Sequence, residues 1–303
     1  MYQRALAGYE KAFGRDHIST LDTVNNLGVL YDYQGNLTGA ESMYQRALAG
    51  YEKALGRDHN STLETVNNLG VLYHDQGNLT EAESMYQRAL AGYERSLGRD
   101  HNSTLKTVNN LGVLYHDQGN LTEAESMYQR ALAGYERSLG RDHISTLKTI
   151  NNLGVLYGRQ GNLTGAESMY QRALAGYEKA LGRDHTSTLN TVSNLGSLYR
   201  DQGNLTGAES MYQRVLLSYT KNPPTNPKAQ LDLFYNMGWS SRDTQNFDRA
   251  KDFFSRAHEG CEKLLGSQHA ETIDALEELN AEIERDSRRT ERSDGEGESM
   301  ETD

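Results

Sequence analysis

Apolar residues recur at intervals of three and four along most of the chain: Leu21, Val24, Leu27 and Tyr31, then, after a polar break, Ala40, Tyr44, Ala47, Leu48, Tyr51 and Leu55. That spacing lays one apolar stripe along each of two helices. The break, Gln34-Gly35-Asn36-Leu37, holds a glycine able to take the left-handed conformation that ends a helix, and an asparagine suited to a turn. Thr38-Gly39-Ala40-Glu41 follows and reads as a capping box. The same box returns at Thr80/Glu83, Thr122/Glu125, Thr164/Glu167 and Thr206/Glu209. The pattern predicts helix A over about 19–34 and helix B over about 38–55, antiparallel across a tight turn, with helix B about 27 Å long at about 1.5 Å per residue.

Almost the same text recurs every 42 residues, with Asn25-Asn26, Asn67-Asn68, Asn109-Asn110, Asn151-Asn152 and Ser193-Asn194 in register. A period of this size marks a solenoid. A lone hairpin leaves its apolar stripe open, so each unit must stack on the next and share a continuous core. Gly28 and Gly50 stand inside helices, where glycine costs about 1 kcal/mol against alanine, and are read as points where a neighbouring helix approaches closely, with Ala40 and Ala47 as small partners. The expected organisation is a helix-B-only partial repeat at 1–17, five near-identical repeats over 18–222, a diverged repeat at 223–269, a capping helix at 270–286 and a disordered acidic tail at 287–303. Pro223, Pro224 and Pro227 are expected to interrupt the last regular helix B.

The set Val24, Leu27, Gly28, Tyr31, Gly35, Ala40, Tyr44 and Ala47 resembles the tetratricopeptide signature. The 42-residue length, the Asn-Asn-Leu-Gly run and the Leu-Gly-Arg-Asp-His-x-Ser-Thr-Leu connector look like the kinesin-light-chain type of repeat, which also forms the sensor end of nucleotide-binding fungal receptors. The resemblance covers about residues 1–285 and implies an all-α, right-handed superhelical solenoid of antiparallel helix pairs that binds proteins without catalysis. Family connectors often carry proline after the histidine, whereas Ile18, Asn60, Asn102, Ile144 and Thr186 stand there. That departure alters cap detail and leaves the architecture expected.

The net charge of -11 is unevenly placed: residues 270–303 carry -9 of it, leaving the array nearly neutral. Without a basic stripe, nucleic acid is not an expected partner. No run of apolar residues is long enough to span a membrane, and charges at Arg4, Glu10 and Lys11 argue against a secretory signal. The single cysteine, Cys261, excludes an internal disulfide and fits a reducing, cytoplasmic compartment. Met1-Tyr2-Gln3-Arg4-Ala5-Leu6 matches Met43 to Leu48, so the chain opens inside a helix B and further protein is expected upstream. The unsheltered Tyr2, Leu6 and Tyr9 support a competing reading, a self-assembling structural module that associates through this end.

Phosphate loops, nucleophile elbows and zinc-protease helices are lacking, so neither enzyme activity nor a cofactor is expected. The Asp-His pairs, from Asp16-His17 to Asp184-His185, sit in successive layers too far apart for one metal and are assigned to capping. The copies differ chiefly at Asp22, Glu64, Lys106, Lys148 and Asn190, at Asp32, His74, His116, Gly158 and Arg200, and at Tyr33, Asp75, Asp117, Arg159 and Asp201. Helical spacing puts these with the asparagines on the face of helix A opposite Leu27 and Tyr31. In the resembling family that face lines the inner groove, where asparagines grip ligand backbones. The resemblance thus assigns peptide binding to Asn25, Asn26, Asn67, Asn68, Asn109, Asn110, Asn151, Asn152 and Asn194, with Lys106, Lys148, His74, His116 and Arg200 selecting the partner. The expected function is a noncatalytic scaffold for a protein or extended peptide, part of a larger signalling or cargo-adaptor protein. On this reading, replacing Asn67 and Asn109 together with alanine should weaken partner binding with little loss of helicity.

Overall fold

The computed structural model describes residues 2–265, all of whose regular structure is helical. A half repeat, α1 (Tyr2–Phe13), precedes six hairpins. Their A helices are α2 (Ile18–Tyr33), α4 (Asn60–Asp75), α6 (Asn102–Asp117), α8 (Ile144–Arg159), α10 (Thr186–Asp201) and α12 (Pro227–Asp243). The B helices are α3 (Leu37–Leu55), α5 (Leu79–Ser96), α7 (Leu121–Ser138), α9 (Leu163–Leu181), α11 (Leu205–Lys221) and α13 (Phe247–Leu265). Two compact units meet within α9, one over 1–176 and one from 177 onward, and each is a run of paired antiparallel helices. The expected capping helix and acidic tail lie outside the described residues.

Two kinds of core packet alternate through residues 1–176. Leu63, Val66, Ala89 and Tyr93 join the two helices of one hairpin, whereas Ala82, Tyr86, Leu111 and Leu114 join helix B to the following helix A. Each hairpin therefore hides its second apolar side only by stacking. Both interior glycines serve these packets. A Cβ at Gly70 would stand 2.7 Å from the Tyr86 ring, and one at Gly92 would stand 2.4 Å from Leu63. The glycines thus let the partner helix approach their backbone, as the sequence suggested, and the contact is made by the bulky Tyr86 and Leu63, not by the small alanines.

At the hairpin turn, Gly35 takes φ 73°, and the chain closes with Asn36 N–H donating to Tyr31 O (2.8 Å) and Gly35 N–H to Asp32 O (2.9 Å), the paired bonds of a Schellman ending. The capping box is corrected. Helix α3 begins at Leu37, and Asn36 is its N-cap, its Oδ1 accepting from Gly39 N–H at 3.0 Å. Glu41 does not reach back; it accepts from Gln45 and from Tyr73 and Gln76 of the next layer. The residue at the third helical position decides the cap. Gly39, Gly165 and Gly207 leave room for the asparagine, whereas a Cβ at Gly39 would lie 2.6 Å from Asn36 Nδ2. Where glutamate stands instead, at Glu81 and Glu123, Asn78 and Asn120 make no side-chain cap and turn to Gln76 and Gln118. Asn36→Ala should therefore lower stability by about 1 kcal/mol, while Thr38→Ala and Asn78→Ala should stay within about 0.5 kcal/mol. Urea unfolding of the three variants checks this, and a larger loss for Thr38→Ala would restore the threonine as cap.

The connector is assembled from its own letters. Gly56 has φ 92°, Thr62 Oγ1 donates back to Gly56 O (2.8 Å), and His59 caps α4 by accepting from Ser61 N–H through Nδ1 (3.2 Å). The same histidine cap opens α2, α6, α8 and α10. Asp58 of the connector accepts from Arg95 at 2.8 Å, and the Arg88–Glu52, Arg130–Glu94 and Arg172–Glu136 pairs tie successive B helices together. In the second unit α11 runs to Lys221 and Pro227 opens α12 behind the Asn226 cap, so the proline run ends helix B and starts the next helix without cutting through either. Tyr235, Trp239 and Phe254 make edge-to-face contacts in the last hairpin. At the other end of the chain, Tyr2, Tyr9 and Phe13 are exposed.

Candidate functional site

Consecutive A helices of the first unit touch (α2 with α4, α4 with α6, α6 with α8), while consecutive B helices do not approach as closely. The A side is thus the inner side of that unit, and the solvent-facing strip of its four A helices forms one surface.

The asparagine pairs divide on this surface. Asn67 and Asn109 are sunk between layers, 3% and 5% exposed. Asn67 Oδ1 accepts from Thr107 Oγ1 (3.0 Å) and Asn110 Nδ2 (3.4 Å), and Asn109 Oδ1 accepts from Thr149 Oγ1 (3.1 Å) and Asn152 Nδ2 (3.4 Å). Asn25, half-buried, accepts from Thr65 Oγ1 (3.0 Å) in the same way. The expectation that Asn67 and Asn109 hold a ligand is therefore corrected: their oxygens belong to an interlayer ladder, as buried amides require. The second residue of each pair lies nearer the surface, although Asn110 and Asn152 each lend one amide hydrogen to the ladder. Asn26 is exposed, and Asn68, Asn110 and Asn152 are half-buried, as are Asn151 and Asn194.

Among the variable positions, Lys106 and Lys148 are exposed, but the histidines and Arg200 are committed within the protein. His74 Nε2 donates to Asp117 Oδ2 (2.9 Å) across one layer boundary, His116 Nδ1 donates to Asp117 Oδ1 (3.0 Å), and Arg159 donates to the His116 carbonyl (2.9 Å). In the second unit Arg200 meets Asp201 at 3.4 Å and Asp243 at 3.8 Å. Asp32 has no such cation. Burial, and next the Asp75 carboxylate, push its acid group above the usual carboxylate range.

A polar cavity of about 140 Å³ opens on the inner surface between α4 and α6. Asn60, Glu64, Asn67, Ser103, Lys106 and Thr107 line it, together with Tyr93 from the end of α5. The equivalent tyrosine one layer earlier, Tyr51, donates its hydroxyl to Asp22 Oδ1. Sequence reasoning placed Tyr51 only in the core. Its return at a fixed offset from the varying position 22 was the signal that it also borders the surface.

Family models described as tetratricopeptide repeat match residues 1–53, 26–95, 61–137, 103–179 and 145–221, and again 231–271. No curated protein matches the chain. Among solved structures, BtubC (BKLC) from P. vanneervenii is 24% identical, with a TM-score of 0.62 over 75% of this chain and 91% of its own. A putative kinesin light chain from Podosopora anserina with nearly identical TPR-like repeats is 23% identical, with a TM-score of 0.56 over 69% of this chain and 99% of its own. The APC/C hetero-tetramer Cut9-Hcn1 gives a TM-score of 0.67 at 14% identity over 92% of this chain and 45% of that one. These likenesses are in the fold.

Proposed function

The chain belongs to the tetratricopeptide repeat family, and from that premise we propose that it is a noncatalytic scaffold whose inner A-helix surface holds an extended segment of a partner protein. The observation that carries this reading is the division of labour within each asparagine pair. One amide carries the stacking through its oxygen, and its neighbour, about 100° further round the helix, lies nearer the solvent, exposed at Asn26 and half-buried at Asn68, Asn110 and Asn152, the last two lending one amide hydrogen to the ladder. Asn26, Asn68, Asn110 and Asn152 thus form a row that offers donors and acceptors to a peptide backbone without demanding particular side chains. A place in a larger signalling or cargo-adaptor protein is supported by the kinesin-light-chain likeness, and a reducing, cytoplasmic setting by the lone Cys261, which is buried.

Peptides selected from a random library on the full chain supply the test. Replacing Asn26 and Asn68 together with alanine should weaken the selected peptides about tenfold, the effect of one or two lost hydrogen bonds, with unchanged helicity. Unchanged affinity would remove the amide row from the binding surface. The Asn67→Ala/Asn109→Ala pair should instead lower stability by about 1–3 kcal/mol per site, in contrast to what the sequence alone led one to expect.

A further inference from the structure

The inner surface of the first unit changes sign along its length. Helices α2 and α4 carry Asp22, Asp32, Glu64 and Asp75 and neither lysine nor arginine, whereas α8 carries Lys148 and Arg159 and no carboxylate. Between them, α6 holds the exposed Lys106, and its one carboxylate, Asp117, is taken by His74 and His116. The row near the start of each A helix shows the change directly, as Asp22, Glu64, Lys106 and Lys148, and the row near its end reads Tyr33, Asp75, Asp117 and Arg159, with Asp117 held by the two histidines. Glu64, Asp75, Lys106, Lys148 and Arg159 are all exposed, and at the first end burial, with the Asp75 carboxylate next, holds the Asp32 acid group above the usual carboxylate range. The repeats are otherwise nearly identical, so the scaffold presents an unchanging amide row beneath a charge pattern that runs from negative to positive.

We propose that the occupant of this surface is an extended polypeptide segment with two opposite charge clusters, a lysine- or arginine-bearing one over α2 and α4 and an aspartate- or glutamate-bearing one over α6 and α8. This rests on the reading of the A-helix surface as the binding face. The centres of the two charged halves lie two layers apart, about 20 Å at the usual spacing of packed helices, which an extended chain covers in about six residues. A segment with the same charges interleaved would set like against like in half its contacts, and that repulsion supplies the selectivity.

Fluorescence anisotropy on the full chain at low ionic strength tests the proposal. The probes are a labelled peptide of two lysines, four serines and two glutamates, a peptide of the same composition with lysine and glutamate alternating, and an all-lysine peptide of equal length. The segregated peptide should bind about tenfold more tightly than the alternating one, given modest exposed pairs acting together, and the advantage should shrink with added salt. Lys106→Glu/Lys148→Glu, both at exposed positions, should abolish the advantage and transfer preference to the all-lysine peptide. Equal binding of segregated and alternating peptides would overturn the charge proposal while leaving the amide surface standing. Failure of every peptide, including those selected from the library, would overturn both. A doubled mass in light scattering that the lysine variants abolish would overturn the proposal in favour of antiparallel pairing of two copies of this chain.

Discussion

Raising the pH from about 9 to about 11 should unfold the repeats of residues 1–176 in one cooperative step. Tyr44, Tyr51, Tyr86, Tyr93, Tyr128 and Tyr135 are at most 4% exposed, and burial pushes the phenol of Tyr135 up to about 12 and those of the others higher still. For Tyr51 the hydrogen bond to Asp22 adds to burial. A phenol with a raised folded-state value stabilises the native protein fully below its unfolded value, near 10, and that contribution is lost as the pH climbs toward the folded value. Each tyrosine forfeits about 1.4 kcal/mol per pH unit above about 10. Six of them at one unit amount to about 8 kcal/mol, as much as the whole stability of many domains. Tyrosinate absorbance and helical circular dichroism, followed together, should change in a single sharp transition. Gradual ionisation centred near 10 with helicity retained would show the rings to be open to water.

The second large effect is expected at the contact between Gly70 and Tyr86. Tyr86→Ala removes a ring packed on Leu111 and Leu114 of the next layer and should cost about 3–5 kcal/mol through the cavity it leaves. Gly70→Ala improves helix propensity by about 1 kcal/mol, yet its Cβ would stand 2.7 Å from two ring carbons of Tyr86. A rigid ring held in a packed core cannot turn aside, so overpacking by about 1–3 kcal/mol should win. The two losses should not add. With the ring gone, the alanine methyl enters vacant space and keeps its propensity gain, so Gly70→Ala should stabilise the Tyr86→Ala background. A urea-unfolding cycle of the four proteins measures this, and strict additivity would mean that Gly70 does not serve the ring.

Hairpins, turns and stacking were legible in the sequence because they rest on spacing that every copy repeats. The three-and-four interval of Leu63, Val66, Ala89 and Tyr93 predicts their burial, and Gly35 predicts its own left-handed turn. The helix-B cap was misread because Asn36 and Thr38 are both good capping residues, and the choice depends on a side chain at position 39 that neither of them announces. Asn67 was given the role of its neighbour Asn68 for a related reason. The two have the same chemistry, and only the angle between adjacent helical positions, together with the place of Thr107 one layer on, buries the first and leaves the second half-buried. His74 and His116 looked free because their acceptor, Asp117, belongs to a neighbouring layer in one case and to the adjoining residue in the other.

The polar bonds between layers have an evolutionary corollary. Asn67 meets Thr107 just as Asn109 meets Thr149, and Glu52 meets Arg88 just as Glu94 meets Arg130. Each donor and acceptor faces a junction spelled alike in the next copy. Loss or gain of one whole 42-residue copy by unequal crossing-over would therefore rejoin matching edges, while it moved Glu64, Lys106 or Lys148 to a new place in the order. Genes of this kind can rewrite what the inner wall recognises by counting copies, with no intermediate that fails to fold.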